Sequence, residues 1–192
     1  MNIPSYIEKL HSAVVSADHP PPPDTGQYKP ASVMALFLFN QEPSLLFIQK
    51  ADREGYAWRN QMAFPGGHLE KADGSASQAA FRELYEETGI MPDNVQYIGS
   101  LGHFQTLKNR DIHAFTGVWN QQDEIVFAPH EISRVFEIPF GTLRQTHLEK
   151  GFAGRSPNVM ELTYPYKDVV IWGVTAQIVH HLIEVVGDIS EN

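Results

Sequence analysis

Three glutamates, Glu83, Glu86 and Glu87, follow Arg82 near the end of a stretch that opens with Phe64-Pro-Gly-Gly67. If the segment is helical, at about 100° per residue the three carboxylates fall within about 100° of one another. Ala76, Ala79 and Ala80 lie beside them, and Phe81, Leu84, Tyr85 and Thr88 gather on the other side. The spacing predicts one packing face and one carboxylate ridge kept open by small residues. Such a ridge opposes itself: like charges at i,i+3 and i,i+4 cost roughly 0.2–0.5 kcal/mol per pair. Acids in the last turns also meet the negative end of the helix dipole, at about 0.3–1 kcal/mol each. Arg82, one turn before Glu86, can offset only part of this. A hard cation such as Mg²⁺ or Mn²⁺, which takes carboxylate and water oxygens, would remove the penalty. Taken alone, the acids read equally as a cation site or as a solvated helix end.

The elements that must position this ridge follow from periodicity. Ser75 or Ser77 can cap a helix running from about Ser77 to Thr88, with Gly89 where a C-terminal glycine belongs. Ser32–Phe39 is a near-continuous apolar run suited to a strand buried on both faces, and a turn through 40–44 leads to a second strand at Leu45–Gln49. Val95–Leu101, His113–Trp119, Val135–Phe140 (then a turn) and part of Tyr164–Trp172 read as further strands. Val174–Val186 is helical, with Ile178, Leu182, Ile183 and Val186 on its inner face. Strands before, between and after two helices indicate an α/β sandwich with a mixed sheet. Ahead of it, Ile7, Leu10 and Val14 mark a short helix, and His19-Pro-Pro-Pro-Pro-Asp24 is a stiff extended spacer. Residues 1–30 are thus expected to form an arm and residues 31–192 the catalytic domain.

Gly-Gly, then Arg-Glu-x-x-Glu-Glu-x-Gly and an aliphatic residue, closely resembles the Nudix box: Phe64-Pro-Gly-Gly67, Ala80, Arg82, Glu83, Glu86, Glu87, Gly89 and Ile90 fall in order. The resemblance implies a Nudix-type α/β/α sandwich and a metal-dependent pyrophosphohydrolase whose loop–helix–loop holds metal ions against a diphosphate. It makes Glu83 and Glu87 direct metal ligands and Glu86 a ligand or water-mediated partner. Arg82 would orient the carboxylates, and Gly66 and Gly67 would let the backbone approach the substrate. The family's usual glutamate eight residues before the arginine is Gly74 here, with Asp73 one place earlier. The longer loop with aspartate resembles the coenzyme A diphosphatase branch, as do Val135-Phe-Glu-Ile-Pro139 and Ile171-Trp-Gly-Val-Thr-Ala176. That branch's upstream signature is kept only loosely, with Lys50 in place of an arginine, Tyr56 near the next arginine position and Asn60 at the glycine. Arg53 or Arg59 is available to supply the missing charge. The resemblance implies coenzyme A or an acyl ester as substrate, contacted by Gly66, Gly67, Lys50, Arg59 and Tyr56. The alternatives are ADP-ribose, a nucleotide sugar or a dinucleotide, or, in another class, a non-catalytic nucleotide sensor, which would have little need of clustered carboxylates.

The reaction implied is attack of a metal-activated water on one phosphorus, with a carboxylate as general base. Glu87 is one candidate; Glu131 in Pro129-His-Glu-Ile132 is another, resembling an acidic loop residue that some Nudix enzymes bring toward the metals. Glu124 and Asp111 are weaker choices. Trp58 and Tyr56 read either as adenine-stacking residues or as anchors for the glycine loop. His103 is a candidate to line the pocket. His103, His113, His147, His180 and His181 show no metal-ligand spacing, and His180 and His181 read as one packing and one solvated residue.

Composition narrows the partners. At 192 residues and 42% hydrophobic, the chain suits one globular domain. A net charge of −9 argues against a nucleic-acid-binding face. No apolar run is long enough to cross a bilayer, and the N-terminus has no signal-peptide layout. Without cysteine there is neither a disulfide framework nor a thiolate metal site. The expectation is a cytoplasmic enzyme acting on a small-molecule diphosphate, its oligomeric state left open with a homodimer as one candidate.

Overall fold

The computed structural model describes residues 2–24, 26–54, 58–187 and 189. In chain order the elements are α1 (Ile3–Ser16), β1 (Lys29–Phe39), β2 (Pro43–Lys50), β3 (Met62–Ala63), β4 (Gly66–His68), α2 (Ala76–Thr88), β5 (Val95–Gln105), β6 (Arg110–Trp119), β7 (Ile132–Pro139), α3 (Phe140–Glu149), β8 (Thr163–Tyr166), β9 (Val169–Trp172) and α4 (Gly173–Val186). β3-β2-β1-β6-β5 form the spine of a mixed sheet, with β4 antiparallel to the start of β1 and β7 antiparallel to β2; β1 and β6 run parallel. β8 and β9 make a separate hairpin.

β1 is buried on both faces because its side chains alternate between two apolar cores. Ala31, Ala35 and Phe37 join α1, α3 and α4 on one side, whereas Met34, Leu36 and Leu38 meet Ala80 and Leu84 of α2 on the other. Helices on both sides of one mixed sheet make an α/β/α sandwich.

Two segments differ from expectation. Residues 140–149 form a helix where a turn was expected: Phe140, Leu143 and His147 bury one face, but Gly141, Thr142 and Thr146 between them mute the helical signal. Tyr164–Trp172 is a hairpin reversing at Lys167, which has φ 53°, rather than a single strand.

The N-terminal arm lies against the sheet. Tyr6, Leu10 and Val14 are buried in the same core as Leu182 and Val186. The proline segment then crosses β5, where Pro20 accepts a hydrogen bond from the His103 N–H at 2.8 Å. Gly102 makes this crossing possible: its φ is 90°, and a Cβ there would meet the Pro20 backbone. His19 completes the attachment through a 2.9 Å contact between its Nδ1 and Nε2 of His181.

Burial holds His113 and His181 well below the ordinary histidine value of 6.5, to about 4, with His103 lowering the first further and His19 and His180 the second. A histidine kept neutral by the fold binds its proton more readily in the unfolded chain, so stability falls as pH drops from 6.5 to about 4 and is level above. Chemical denaturation at stepped pH should show this decline, and Asn at both positions should flatten it. An unchanged slope would show that other groups control the acid response.

Candidate functional site

α2 begins at Ser75, whose hydroxyl accepts the Gln78 N–H at 3.2 Å, and ends at Gly89, with φ 76°. Its buried face is rotated from the sequence expectation. Ala79, Ala80, Leu84 and Thr88 face the interior, and Glu87 joins them at 6% exposure, while Tyr85 is 50% exposed. The alanines do not keep a solvent face open; they let the helix come close to the sheet. That close approach takes Glu87 inside, leaves Glu83 at the margin and puts Glu86 in solvent.

Both Glu87 oxygens are engaged. Oε2 accepts the Gly66 N–H at 2.9 Å, and Oε1 meets the Lys50 ammonium. Lys50 stands at an irregularity in the β2–β7 pairing: Gln49 pairs with Arg134 and Lys50 with Ile132, so Ser133 is left over. A bulge of this kind re-aims neighbouring side chains. Burial pushes the Glu87 pKa up, opposed by Lys50 and the Gly66 N–H, and the Glu131 carboxylate raises it further. Glu131 is itself exposed, on the loop entering β7, where its carbonyl accepts the Ala51 N–H at 2.9 Å.

Arg82 gathers the remaining acids. Its Nε and Nη2 donate to Asp73 at 3.1 and 3.0 Å, Nη2 also to the His68 carbonyl at 3.0 Å, and Nη1 to both Glu83 and Glu86 at 3.0 Å. Hydrogen bonding from Arg82 holds the Asp73 carboxyl below its usual range. Burial raises the pKa of Glu83 despite Arg82. The two glycines serve different contacts: a Cβ on Gly66 would collide with Ser32 and Val33 of β1, and one on Gly67 with the Glu83 carboxylate.

Beside β4 is a cationic group. Arg110 lies 2.7 Å from the His68 ring nitrogens, and Arg110 and Lys108 stand over the Trp58 ring at 5.3 and 5.6 Å from its centroid. Burial, then Arg110 and Lys29, lower the His68 pKa.

Two carboxylates raised by burial, a third exposed, and a glycine loop against them form an oxygen-only donor set suited to a hard divalent ion. The NUDIX domain family profile matches residues 28–162. The chain belongs to the Nudix hydrolase family.

Among Nudix relatives, the chain is 30% identical over 167 residues to an uncharacterized Nudix hydrolase, NudL, of Pectobacterium atrosepticum, covering 84% of this chain and 85% of that one. It is 30% identical over 169 residues to NudL of Escherichia coli K12, covering 85% and 86%. Its fold resembles a MutT/nudix family protein from Enterococcus faecalis (TM-score 0.56, 15% identity, 98% of this chain and 70% of that one). It also resembles the NUDIX domain of Shewanella oneidensis NrtR, solved with ADP ribose (TM-score 0.50, 17% identity, 70% and 85%). Nudix hydrolases generally use a divalent metal.

The fold brings together Arg82, Glu83, Glu86, Glu87, Gly66, Gly67 and Glu131. Lys50, expected at the substrate, has its ammonium on Glu87 instead. Arg59 pairs with Asp52 at 3.2 Å in an exposed turn, and Tyr56 lies outside the described residues. Asp111 bonds to His103 and Gln105, each at 2.8 Å. Sequence reasoning missed the Asp73–Arg82 clamp, although the acidic residue nine positions ahead of Arg82 was its visible trace. It also missed Lys50–Glu87, which depends on a bulge with no local signature.

Asp73→Asn should keep an acceptor for the Glu70 N–H, 2.8 Å from the Asp73 carboxylate, but loosen Arg82, lowering turnover by about 10–100-fold, the scale found when a partner that orients active-site side chains is removed. Steady-state kinetics at saturating Mn²⁺ beside a thermal melt would check it. Full activity in Asp73→Asn would mean that Arg82 needs no clamp.

Proposed function

We propose that the chain hydrolyses the diphosphate linkage of coenzyme A or an acyl ester, with Mg²⁺ or Mn²⁺ held by Glu83, Glu86 and Glu87. The observation that carries the hydrolytic reading is the meeting of the Glu83 and Glu87 carboxylates with Gly67 and Gly66 of β4, with Glu86 tied to Glu83 through Arg82. A divalent ion bound there lowers the pKa of a coordinated water and offsets charge on the bridging oxygen. Because each oxygen of Glu87 already accepts one hydrogen bond and keeps one lone pair for an ion, while Glu131 stands exposed nearby, Glu131 is the better proton acceptor and Glu87 the better metal ligand. Arg82 holds Glu83 and Glu86 in register with the loop and acts through them.

The coenzyme A reading is supported by the cationic group of Lys29, Lys108 and Arg110 with Trp58 beside β4. Coenzyme A carries a third phosphate, on its ribose, next to an adenine; ADP-ribose and nucleotide sugars lack that phosphate. An aromatic ring flanked by cations suits such a nucleotide end.

A panel of coenzyme A, dephospho-coenzyme A, ADP-ribose, a nucleotide sugar and a dinucleotide, each with Mg²⁺ or Mn²⁺, tests this. Coenzyme A should yield 3′,5′-ADP and 4′-phosphopantetheine, and Arg110→Ala should raise KM for coenzyme A more than for its dephospho form. Glu131→Gln should lower kcat by about 10²–10⁴-fold with Mn²⁺ affinity unchanged. Preference for ADP-ribose or a dinucleotide would replace the substrate. Nucleotide binding with no product under either metal would instead favour a sensor.

A further inference from the structure

On the other side of the sheet from the carboxylate ridge, His147 of α3 meets His180 and Glu184 of α4, with one ligand atom from each within 4.8 Å of the others. Among the described residues this is the group of three or more potential ligands that converges so closely. It plays no part in the reaction proposed above and does not depend on it.

Each side chain has its outward atom tied down and its other atom turned inward. Nε2 of His180 donates to the Arg155 carbonyl at 3.1 Å, which fixes the proton on that nitrogen; Nδ1 is buried and has no hydrogen-bond partner. Oε2 of Glu184 accepts the Gly154 N–H at 3.0 Å, leaving Oε1 facing Nε2 of His147 at 2.7 Å. Nδ1 of His147 contacts the Tyr164 hydroxyl at 2.9 Å. Metal-binding histidines characteristically engage the second ring nitrogen with such an outer partner, which orients the ring. A buried imidazole nitrogen left unpaired is costly, and a metal ion would satisfy it.

We infer that His147 Nε2, His180 Nδ1 and Glu184 Oε1 form a Zn²⁺ site that ties α3 to α4 and to the 151–155 loop. Two imidazoles and one carboxylate suit Zn²⁺, whereas Mg²⁺ prefers oxygen alone. Three protein ligands leave a fourth position for water. Glu184 is exposed, so the ion can enter from solvent.

The test uses the full chain, stripped with chelator, held in excess Mg²⁺ and titrated with Zn²⁺. Metal retained after gel filtration is counted by mass spectrometry, and thermal melts are recorded in parallel. The wild type should keep one Zn²⁺ per chain and gain about 5 °C or more in Tm once Zn²⁺ far exceeds its Kd. His180→Gln should lose both effects, and Glu83→Gln should lose neither. Glu184→Gln, which keeps an acceptor for Gly154, should weaken retention and decides the matter if His180→Gln fails to fold by circular dichroism. No zinc on the wild type, equal retention by the folded variants of the cluster, or loss of zinc on Glu83→Gln would overturn the site.

Discussion

A carboxylate inside the protein organises everything around it. Glu87 is almost fully buried, and a buried charge is tolerated only when paired and hydrogen-bonded. Its two partners come from different places in the chain: an ammonium from the end of β2 and a backbone N–H from the start of β4. Satisfying that one group therefore fixes the helix, the start of β4 and the end of β2 relative to one another. The alanines at 79 and 80 and the bulge beside Lys50 bring the partners within reach.

Around this fixed anion, Arg82 arranges the more exposed acids. Its contacts with Asp73 and the His68 carbonyl on one side, and with Glu83 and Glu86 on the other, join the loop to the helix without burying the outer carboxylates. The repulsion that makes the ridge unfavourable in an isolated helix is thus only partly relieved by the protein's own cations, and burial still raises the Glu83 pKa. The result is excess negative charge held in a partly desolvated place. This is the physical content of the Nudix pattern in this chain.

Much of this was legible in the sequence because it depends on short-range regularities. The carboxylate spacing, Ser75, Gly89 and the apolar run of β1 each act over a few residues, and the helix and the strand they predict are present. What escaped depends on tertiary contact. Glu87 was placed opposite the packed face because a helical wheel counts glutamate as polar, and only the Lys50 and Gly66 partners make its burial tolerable. Lys50 and Arg59 read as substrate contacts, but the fold pairs each with an acid. The His180–Glu184 spacing lies in plain view on α4, but its third member is on α3, where the glycine and threonines hid a helix.

The central claim is that the Glu87 charge is kept inside by Lys50, and a double-mutant cycle tests it most directly. Unfolding free energies would be measured for the wild type, Lys50→Met, Glu87→Gln and the double variant. Removing Lys50 alone should cost about 3–5 kcal/mol, as when one partner of a buried pair is lost. The same change should cost far less once Glu87 is glutamine, giving a large coupling energy. Strictly additive losses would contradict the claim and leave the position of α2 to apolar packing alone.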